Sequence, residues 1–557
     1  YNPETMTLQT LALFPELSTA YQTIDTVSEL VAVAVGLGAE QVTGWSADEK
    51  RLTASLPLPS AAFVNAIKSQ ILAGADPLGD IYCQLRSPAE RRPHGATYTP
   101  AQFVEAMTAW AAEQVTPQRV VDPGCGSGRF SVAAGKRFPH ATIIAIETDP
   151  IAAILARANL AVHELASRAT VMLIDYRDVA LEPIDGPTLF IGNPPYVRHH
   201  DIVPARKEWL VSAAKSLGLH ASQLAGLHVH FFLQTALLAR PGDLGIFITS
   251  SEWLDVNYGE LVRKLLTHPL SALTLQIIDP KLQPFPDTAT TAVITGFAGS
   301  PVTAQVTVRQ VEHLEDLGAL SRGSLIPRHQ LTGAQRWSVL SQPRAARPAG
   351  FVELGELCRV HRGQVTGANK VWVTRAGHVD LPGEVLFSTI TRAQELFQSG
   401  GILHEVHHLK LVIDLPATFE HFTAPDQQRI QRFLRLAVTR GADQGYIAQH
   451  RKPWWSVRLH APAPILATYM ARRPPLFVYN AAQARHINIA HGLYPRDALP
   501  DDVLRTLAKF LSRSASLDGG RTYAGGLTKF EPREMERLLI PHPDVLAQPD
   551  AVEELLL

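Results

Sequence analysis

Apolar positions along the chain follow two periods, and the switch between them divides it. Residues 1–90 carry apolar repeats at helical spacing, as in "AAFVNAIKSQILAG" (Ala61–Gly74), and predict a helical amino-terminal region. "RRPHGATYTP" (Arg91–Pro100) breaks the pattern with Pro and Gly, and the helical run "AQFVEAMTAWAAEQV" (Ala101–Val115) follows. From Arg119 onward short β-rich runs alternate with helical ones. Strand "RVVDPG" precedes helix "SVAAGKRF", strand "TIIAIE" precedes "PIAAILARANLAVHEL", and then come "ATVMLID" and "TLFIGNPPY". Such alternation predicts βαβ units and an α/β fold with a parallel, doubly wound sheet. "LGIFITSSEW", "LTLQIID" and "TAVITGF" supply further strands, read as the far edge. Around residues 321–350 Pro, Arg, Ser and Gly accumulate and the periodicity fades, which predicts a linker. The remainder mixes short strands and helices. The expected organisation is a helical region over 1–90, a doubly wound domain over 91–305, a linker over 306–348 and a mixed α/β domain over 349–557.

Bulk numbers narrow the class. At 557 residues the chain exceeds one ordinary core, so two to four domains are expected. Its 46% apolar and 18% charged residues fit a soluble globular protein. No apolar run reaches the ~18 residues of a membrane span, and no signal peptide is visible at the amino end. The chain begins at Tyr1 rather than Met, which suggests residues upstream of it. Three cysteines without paired spacing point to a reducing compartment and away from a disulfide framework or a cysteine-rich zinc site. Net charge is only −1 over the whole chain, but it is unevenly spread. Up to residue 320 the balance is about −9, and from Ser321 onward about +8. A basic carboxyl-terminal part suits a polyanion, although ordinary variation between domains explains the split equally well.

Candidate chemistry sits at the strand ends. "VVDPGCGSGRF" (Val120–Phe130) places Gly124, Gly126 and Gly128 between a strand and a helix, where glycine lets a ligand approach the backbone. The spacing is G-x-G-x-G, unlike the G-x-G-x-x-G of dinucleotide dehydrogenases, and by itself it also suits a plain tight turn. Glu147 ends the second strand, where a carboxylate can accept both hydroxyls of a ribose. Asp175 ends the third and can accept from an adenine amino group, with Tyr176 packed nearby. Together these ends describe a pocket for an adenosine compound with no phosphate clamp.

The fourth strand stops at Asn193-Pro194-Pro195-Tyr196. In a doubly wound sheet the first and fourth strands are neighbours, so Asn193 opens onto the crevice of Gly124. An exocyclic amine or an amide nitrogen is a poor nucleophile because its lone pair is delocalised. Accepting its two hydrogens at the Asn193 side-chain oxygen and the Pro194 carbonyl favours a pyramidal nitrogen. The prolines fix the backbone, so both acceptors need little reorganisation. The Tyr196 ring can stack a planar substrate, worth ~1–3 kcal/mol for a base. A sulfonium methyl donor is already activated and needs no metal, so none is expected.

At this point the sequence resembles the gamma-group, TaqI-like, S-adenosylmethionine-dependent DNA adenine-N6 methyltransferases. "TYTP" (Thr97–Pro100) resembles their first motif, with Thr99 as the cofactor contact. "DPGCGSG", "IET" and "IDY" resemble the cofactor motifs, which implies cofactor binding by Asp122, Gly124, Gly126, Glu147 and Asp175. "NPPY" resembles the catalytic motif, which implies catalytic roles for Asn193, Pro194 and Tyr196 and a place for Pro195 beside the cofactor adenine. "GIFITSSEWL" followed by "FPDTATTAVI" resembles the segment whose aromatic residue touches the flipped base, here Phe285. "LGELCRVHRGQVTGANKVWV" and "RTYAGGLTKFEPREMERLLIP" resemble the ends of a target-recognition domain, so the likeness spans roughly residues 80–541. It implies a class I methyltransferase sheet, S-adenosyl-L-methionine as cofactor, and double-stranded DNA as partner. A separate cognate restriction endonuclease is a second partner, and the protein is expected to be a monomer in a bacterial or archaeal cytoplasm. The stretch from Val197 to Phe232 departs as a long insertion, read as a DNA-facing loop and helix. Other planar nitrogens, in RNA or a protein glutamine, are the rival substrates, and a cofactor-binding defence component without turnover is the rival class.

Three further segments carry candidate chemistry. Arg451, Lys452, Trp455 and Arg458 in "RKPWWSVR" are the densest basic-aromatic cluster, read as DNA contacts, with a tryptophan-anchored surface strand as the alternative. "HEVHH" (His404–His408) fits the zinc-protease spacing H-E-x-x-H, but glycines precede it and a strand-like run follows, which argues against the shared helix face that zinc needs. "DEK" (Asp48–Lys50) is the one passable nuclease-like carboxylate-x-Lys, and it lacks a Pro-Asp partner upstream.

Overall fold

The computed structural model describes residues 23–56, 59–86, 99–279, 282, 291–300, 304–334, 336–341, 347–523 and 527–556. Two compact units divide the chain, Tyr1–Arg344 and Ala345–Leu557. Nine helices of the first unit matter here: α1 (Val27–Gly36), α2 (Ala47–Thr53), α3 (Ala61–Leu72), α4 (Pro77–Leu85), α5 (Ala101–Gln114), α6 (Arg129–Arg137), α7 (Pro150–Val162), α8 (Pro204–Ser216) and α9 (Leu227–Leu238). Its strands are β1 (Arg119–Pro123), β2 (Thr142–Glu147), β3 (Ala169–Leu173), β4 (Thr188–Gly192), β5 (Leu244–Ser250), β6 (Ser271–Ile278), β7 (Ala292–Ala298), β8 (Gln305–Val311) and β9 (Ser324–Pro327).

The strands form one sheet in the order β3-β2-β1-β4-β5-β7-β6-β8-β9. β1 to β5 run parallel, and β7 is antiparallel to both β5 and β6. Side chains alternate between faces as the period of two demands. Val121, Phe190 and Phe247 enter one core with Phe232 and Phe297, while Val120, Leu189, Ile191 and Ile246 enter the other with Phe103 and Trp110. Every residue of β1 and β4 is buried, as expected of strands covered on both faces. Their register pairs Val121 with Phe190. Extended by two residues, it sets Pro123 beside Gly192, so the glycine turn and Asn193 leave the sheet at the same end.

The amino-terminal helices pack on this unit. Thr26 and Ser46 start α1 and α2 with capping boxes, and Asp76 caps α4 ahead of Pro77. Leu30, Val33, Ile67, Ile71 and Leu78 close over Ile151, Ile154, Leu155 and Ala158 of α7. A buried ion pair pins them there. Arg157 Nε donates to Glu49 at 2.7 Å, and neither side chain is exposed. The nuclease-like Asp48-Glu49-Lys50 is therefore a turn of helix whose middle carboxylate is structural.

Two expectations need correction. Residues 306–348, expected as a linker, hold β8 and β9, which extend the sheet beyond β6, and Trp337, which is fully buried against Trp253. The physical reason is visible in "QVTVRQV": Val306 and Val308, two residues apart, are buried in the core of Phe232, and Val311 is buried in the opposite core with Phe103. β6 and β7 are accordingly interior strands rather than the far edge. The insertion after Tyr196, read as DNA-facing, ends in α9, which is buried from His228 to Ala236 and crosses from β4 to β5 against the sheet.

The second unit is mixed α/β. Cys358–Arg362, His491–Pro495, Ile465–Ala467 and Phe477–Tyr479 make an antiparallel sheet covered by helix Asp501–Ser514 through Leu504, Leu507 and Leu511. A second four-stranded sheet, Val373–Thr374, Lys410–Ile413, Leu386–Ile390 and Arg485–His486, shares a core with Ile430 and Ala437 of helix Ala424–Thr439. Among the described residues no helix is long and apolar enough to cross a membrane.

Candidate active site

A cavity of about 300 Å3 opens at the carboxyl ends of β1 to β4. Gly124, Gly126, Glu147, Asp175, Asn193 and Pro195 all line it, which brings together residues drawn from four strand ends. The glycine turn is left-handed at Gly124, Gly126 and Gly128, with φ of +71°, +57° and +88°. A Cβ added at Gly124 would stand 3.3 Å from Pro195 Cδ, so the turn is close-packed as well as conformationally restricted.

The two strand-end carboxylates are held differently. Glu147 Oε2 accepts from the Gly126 N–H at 2.9 Å, and Oε1 from the N–H groups of Thr148 and Asp149 at 2.7 and 3.0 Å. Burial pushes its carboxyl up, and these amides only partly offset that. Asp175 is gripped by Arg177, through Nε at 2.9 Å, a terminal nitrogen at 2.6 Å and the backbone N–H at 3.0 Å, with Arg206 at 3.5 Å. Burial would raise its carboxyl, but the bonds to Arg177 and the two positive charges outweigh that and hold it below the usual carboxylate range.

Asp122 is corrected from cofactor contact to support. It does not line the cavity. Its fully buried carboxylate accepts from the Ser131 N–H and hydroxyl at 2.9 and 2.6 Å, tying β1 to α6, and burial pushes it up to about 7. Pro194 is buried, and Tyr196 is half-buried against the core of Phe103 and Trp110 rather than on the cavity wall. Burial pushes the Tyr196 phenol up. Thr99 does reach the cavity, and its hydroxyl accepts from Asn193 Nδ2 at 3.1 Å. Phe285, Thr97 and Tyr98 lie outside the described residues.

Of the wall residues that escaped the sequence reading, Tyr82, Arg129 and Phe231 bear most on the site. Tyr82 of α4 lines the cavity and donates to Asp149, the cap of α7. Arg129 lines it too, bonded to the Thr99 carbonyl and to Asp76 and Asp80 of the amino-terminal helices. Phe231 of α9 closes the side next to Gly124. The Asp-Pro pair at 76–77 signals a helix start, but nothing local says that the helix ends at this cavity.

Known proteins resemble this chain in sequence and in fold. Family models match residues 103–221 (Methyltransferase small domain), 188–281 (Eco57I restriction-modification methylase) and 338–556 (Type II methyltransferase M.Eco57I, C-terminal domain). Type II methyltransferase M.XamI of Xanthomonas campestris pv. amaranthicola is 50% identical over 528 residues, covering 93% of this chain and 98% of that protein. The chain belongs to the type II methyltransferases. A tRNA1(Val) (adenine(37)-N6)-methyltransferase of Porphyromonas gingivalis is 34% identical over 119 residues, 20% of this chain and 47% of that one. In fold, the DNA-bound type IIL restriction-modification enzyme MmeI matches with a TM-score of 0.51 at 12% identity, over 88% of this chain and 76% of that one.

As a type II methyltransferase the protein uses S-adenosyl-L-methionine and acts on DNA. Its first unit carries the class I methyltransferase sheet, lengthened by β8 and β9. The cavity fits that cofactor: a glycine cradle that a Cβ would crowd, and a carboxylate at the end of β2 on its wall. In the second unit of this type II methyltransferase, two of the expected DNA contacts bond within the fold. Arg451 is half-buried and bonds the carbonyls of Val365 and Thr366, and burial lowers its basicity. Trp455 donates to the Pro416 carbonyl at 3.0 Å and stacks on Phe419. Lys452 and Arg458 are exposed, with the Arg458 guanidinium resting on the Lys452 carbonyl. The His404–His408 segment is not helical, so its first and last histidines do not share a helix face.

Proposed function

We propose that this type II methyltransferase modifies the N6 amine of an adenine rotated out of double-stranded DNA at a specific sequence, as the modification part of a restriction–modification system. The observation that carries the reading is Asn193: a carboxamide at the end of β4, on the wall of the same cavity as the glycine turn. Likeness over 119 residues to an adenine-N6 methyltransferase supports the choice of amine. That relative's name gives a tRNA. The separate carboxyl-terminal unit, matched over residues 338–556 by a type II methyltransferase model, favours DNA for this chain.

In the mechanism, the Asn193 side-chain oxygen and the Pro194 carbonyl accept the two hydrogens of the amine and favour a pyramidal nitrogen. The acceptors are fixed in advance by the proline backbone, so stabilisation costs little reorganisation. Tyr196 offers a face for the extruded base, whose unpairing costs a few kcal/mol. Phe285 is a second stacking candidate. When bound, S-adenosylmethionine supplies a methyl group already activated as a sulfonium. Gly124, Gly126 and Pro195 would shape its seat, Glu147 would accept from its ribose hydroxyls, and Asp175 with Arg177 would meet its adenine. The protein acts as a monomer, and a separate endonuclease supplies cleavage.

The test is transfer of tritiated methyl from S-adenosylmethionine to duplex DNA of varied sequence, with nucleoside mass spectrometry and long-read sequencing of the product. N6-methyladenine at one recurring sequence is expected. Label in RNA but not in DNA, or in cytosine, would refute the reading.

A further inference from the structure

A carboxamide has two ends of opposite sense, and exchanging them puts a donor where an acceptor stood. For Asn193 that choice decides whether the amine's hydrogens are accepted or repelled. The structure ties one end down: Asn193 Nδ2 donates to the Thr99 hydroxyl at 3.1 Å, which turns the oxygen to the other edge of the amide. Thr99 is itself buried, and its carbonyl accepts from Arg129 at 3.0 Å. Two further donors of Arg129 go to carboxylates of the amino-terminal helices, Nε to Asp76 and a terminal nitrogen to Asp80, each at 2.8 Å. Asp76 is in turn fixed by the Gly79 N–H at 3.0 Å, the Ser127 hydroxyl at 2.5 Å and Asn159 at 3.1 Å. A line of hydrogen bonds thus runs from α4 through Arg129 and Thr99 to Asn193.

We propose that Thr99 is a positioning residue that sets which way the Asn193 amide faces, and that Arg129, anchored by Asp76 and Asp80, holds Thr99 in place. The inference rests on the amine-methylation reading above. It gives the Thr99 hydroxyl a role at Asn193 as an acceptor, leaving its O–H free to donate into the cavity, and it makes the amino-terminal helices part of the methyl-transfer machinery.

The full chain carrying Thr99→Val is compared with Thr99→Ser, which restores the hydroxyl. Single-turnover transfer to duplex DNA and the Kd for S-adenosylmethionine by calorimetry are the readouts. Thr99→Val slows transfer about 10-fold or more while the cofactor Kd moves less than about 3-fold, and Thr99→Ser stays within about 3-fold of wild type. Equal rates for the two variants, or a loss carried wholly by weaker cofactor binding, would overturn the proposal. Should Thr99→Val not fold by circular dichroism, Thr99→Ala takes its place against Thr99→Ser. Asp80→Asn slows the wild type about 3-fold and adds nothing to Thr99→Val, because both act through one amide. A full further 3-fold loss would sever the Arg129 link. Nucleoside analysis of the wild-type product separates the two questions: a product other than N6-methyladenine defeats the functional reading, whereas the valine–serine contrast reports on Thr99 alone.

Discussion

The turn Asn193–Tyr196 and the segment Arg451–Arg458 are both short and aromatic, and both carry proline. They treat their polar groups in opposite ways. At the turn, Asn193 is steadied by the Thr99 hydroxyl and kept on a cavity wall, with Pro195 packed against a glycine. In the second segment, Arg451 gives its guanidinium to backbone carbonyls and Trp455 gives its indole N–H to another, so both are consumed by the fold. Only Lys452 and Arg458 still face solvent. A small ligand of fixed shape constrains the backbone that meets it, whereas a polyanion asks only for exposed positive charge, which many scaffolds can supply.

The largest test of this contrast is Asn193→Ala. Transfer of tritiated methyl to DNA falls about 10²–10³-fold, the scale of losing a preorganised acceptor, with the melting temperature nearly unchanged. Transfer above a tenth of wild type would place the chemistry elsewhere. Next is Arg451→Ala, which leaves the Val365 and Thr366 carbonyls unpaired and costs about 1–3 kcal/mol in urea unfolding. A fall in DNA affinity with full stability would instead make Arg451 a DNA contact and dissolve the contrast.

Acid provides a third test, acting on both units. Burial holds His228 and His230 near 4 and 3 in the first unit, and His486 and His491 near 3 and 4 in the second. Each folded value lies below the ordinary 6.5, so the unfolded chain takes up protons first as pH falls. Their stability contribution is complete above pH 6.5 and is lost on the way down, at up to roughly 1.4 kcal/mol per pH unit for each imidazole. Asp122, pushed up to about 7, works in reverse: its contribution is full below its ordinary 3.8 and is lost as pH rises through 7. Melting temperatures from pH 8 to 5 should therefore fall steeply below 6.5, and an acid-insensitive curve would contradict the buried, neutral imidazoles. The smallest effect belongs to Lys452→Ala. Stability changes within about 0.5 kcal/mol, and DNA affinity drops uniformly across sequences with the salt slope reduced by about 1. An unchanged salt slope would leave the segment with no role at DNA.

The cavity was legible in sequence where the backbone itself is restricted. Three glycines at a strand end, a strand-end glutamate and an Asn-Pro-Pro-Tyr turn each limit what the chain can do locally, and the parallel topology then brings them together. Contributions from distant helices left no such mark. Tyr82, Asp76 and Arg129 meet only through the docking of α1–α4 on α7, which no local period records. β8 and β9 were lost among the Pro, Arg and Gly around them, although Val306 and Val308 already alternated with polar residues. At Arg451 and Trp455 the residue types suit DNA, and nothing local foretold that nearby carbonyls would take up their donors.

The Glu49–Arg157 pair has a bearing on protein engineering. Both charges are sealed from solvent, and stranding one of them costs about 3–5 kcal/mol. A catalytic core transplanted from residue 99 onward would carry an orphaned guanidinium on the flank of its cofactor-binding half. Chimeras among relatives should therefore keep the stretch from Glu49 together with its sheet, and look for exchangeable cargo near residue 345, where the chain passes from one compact body to the next.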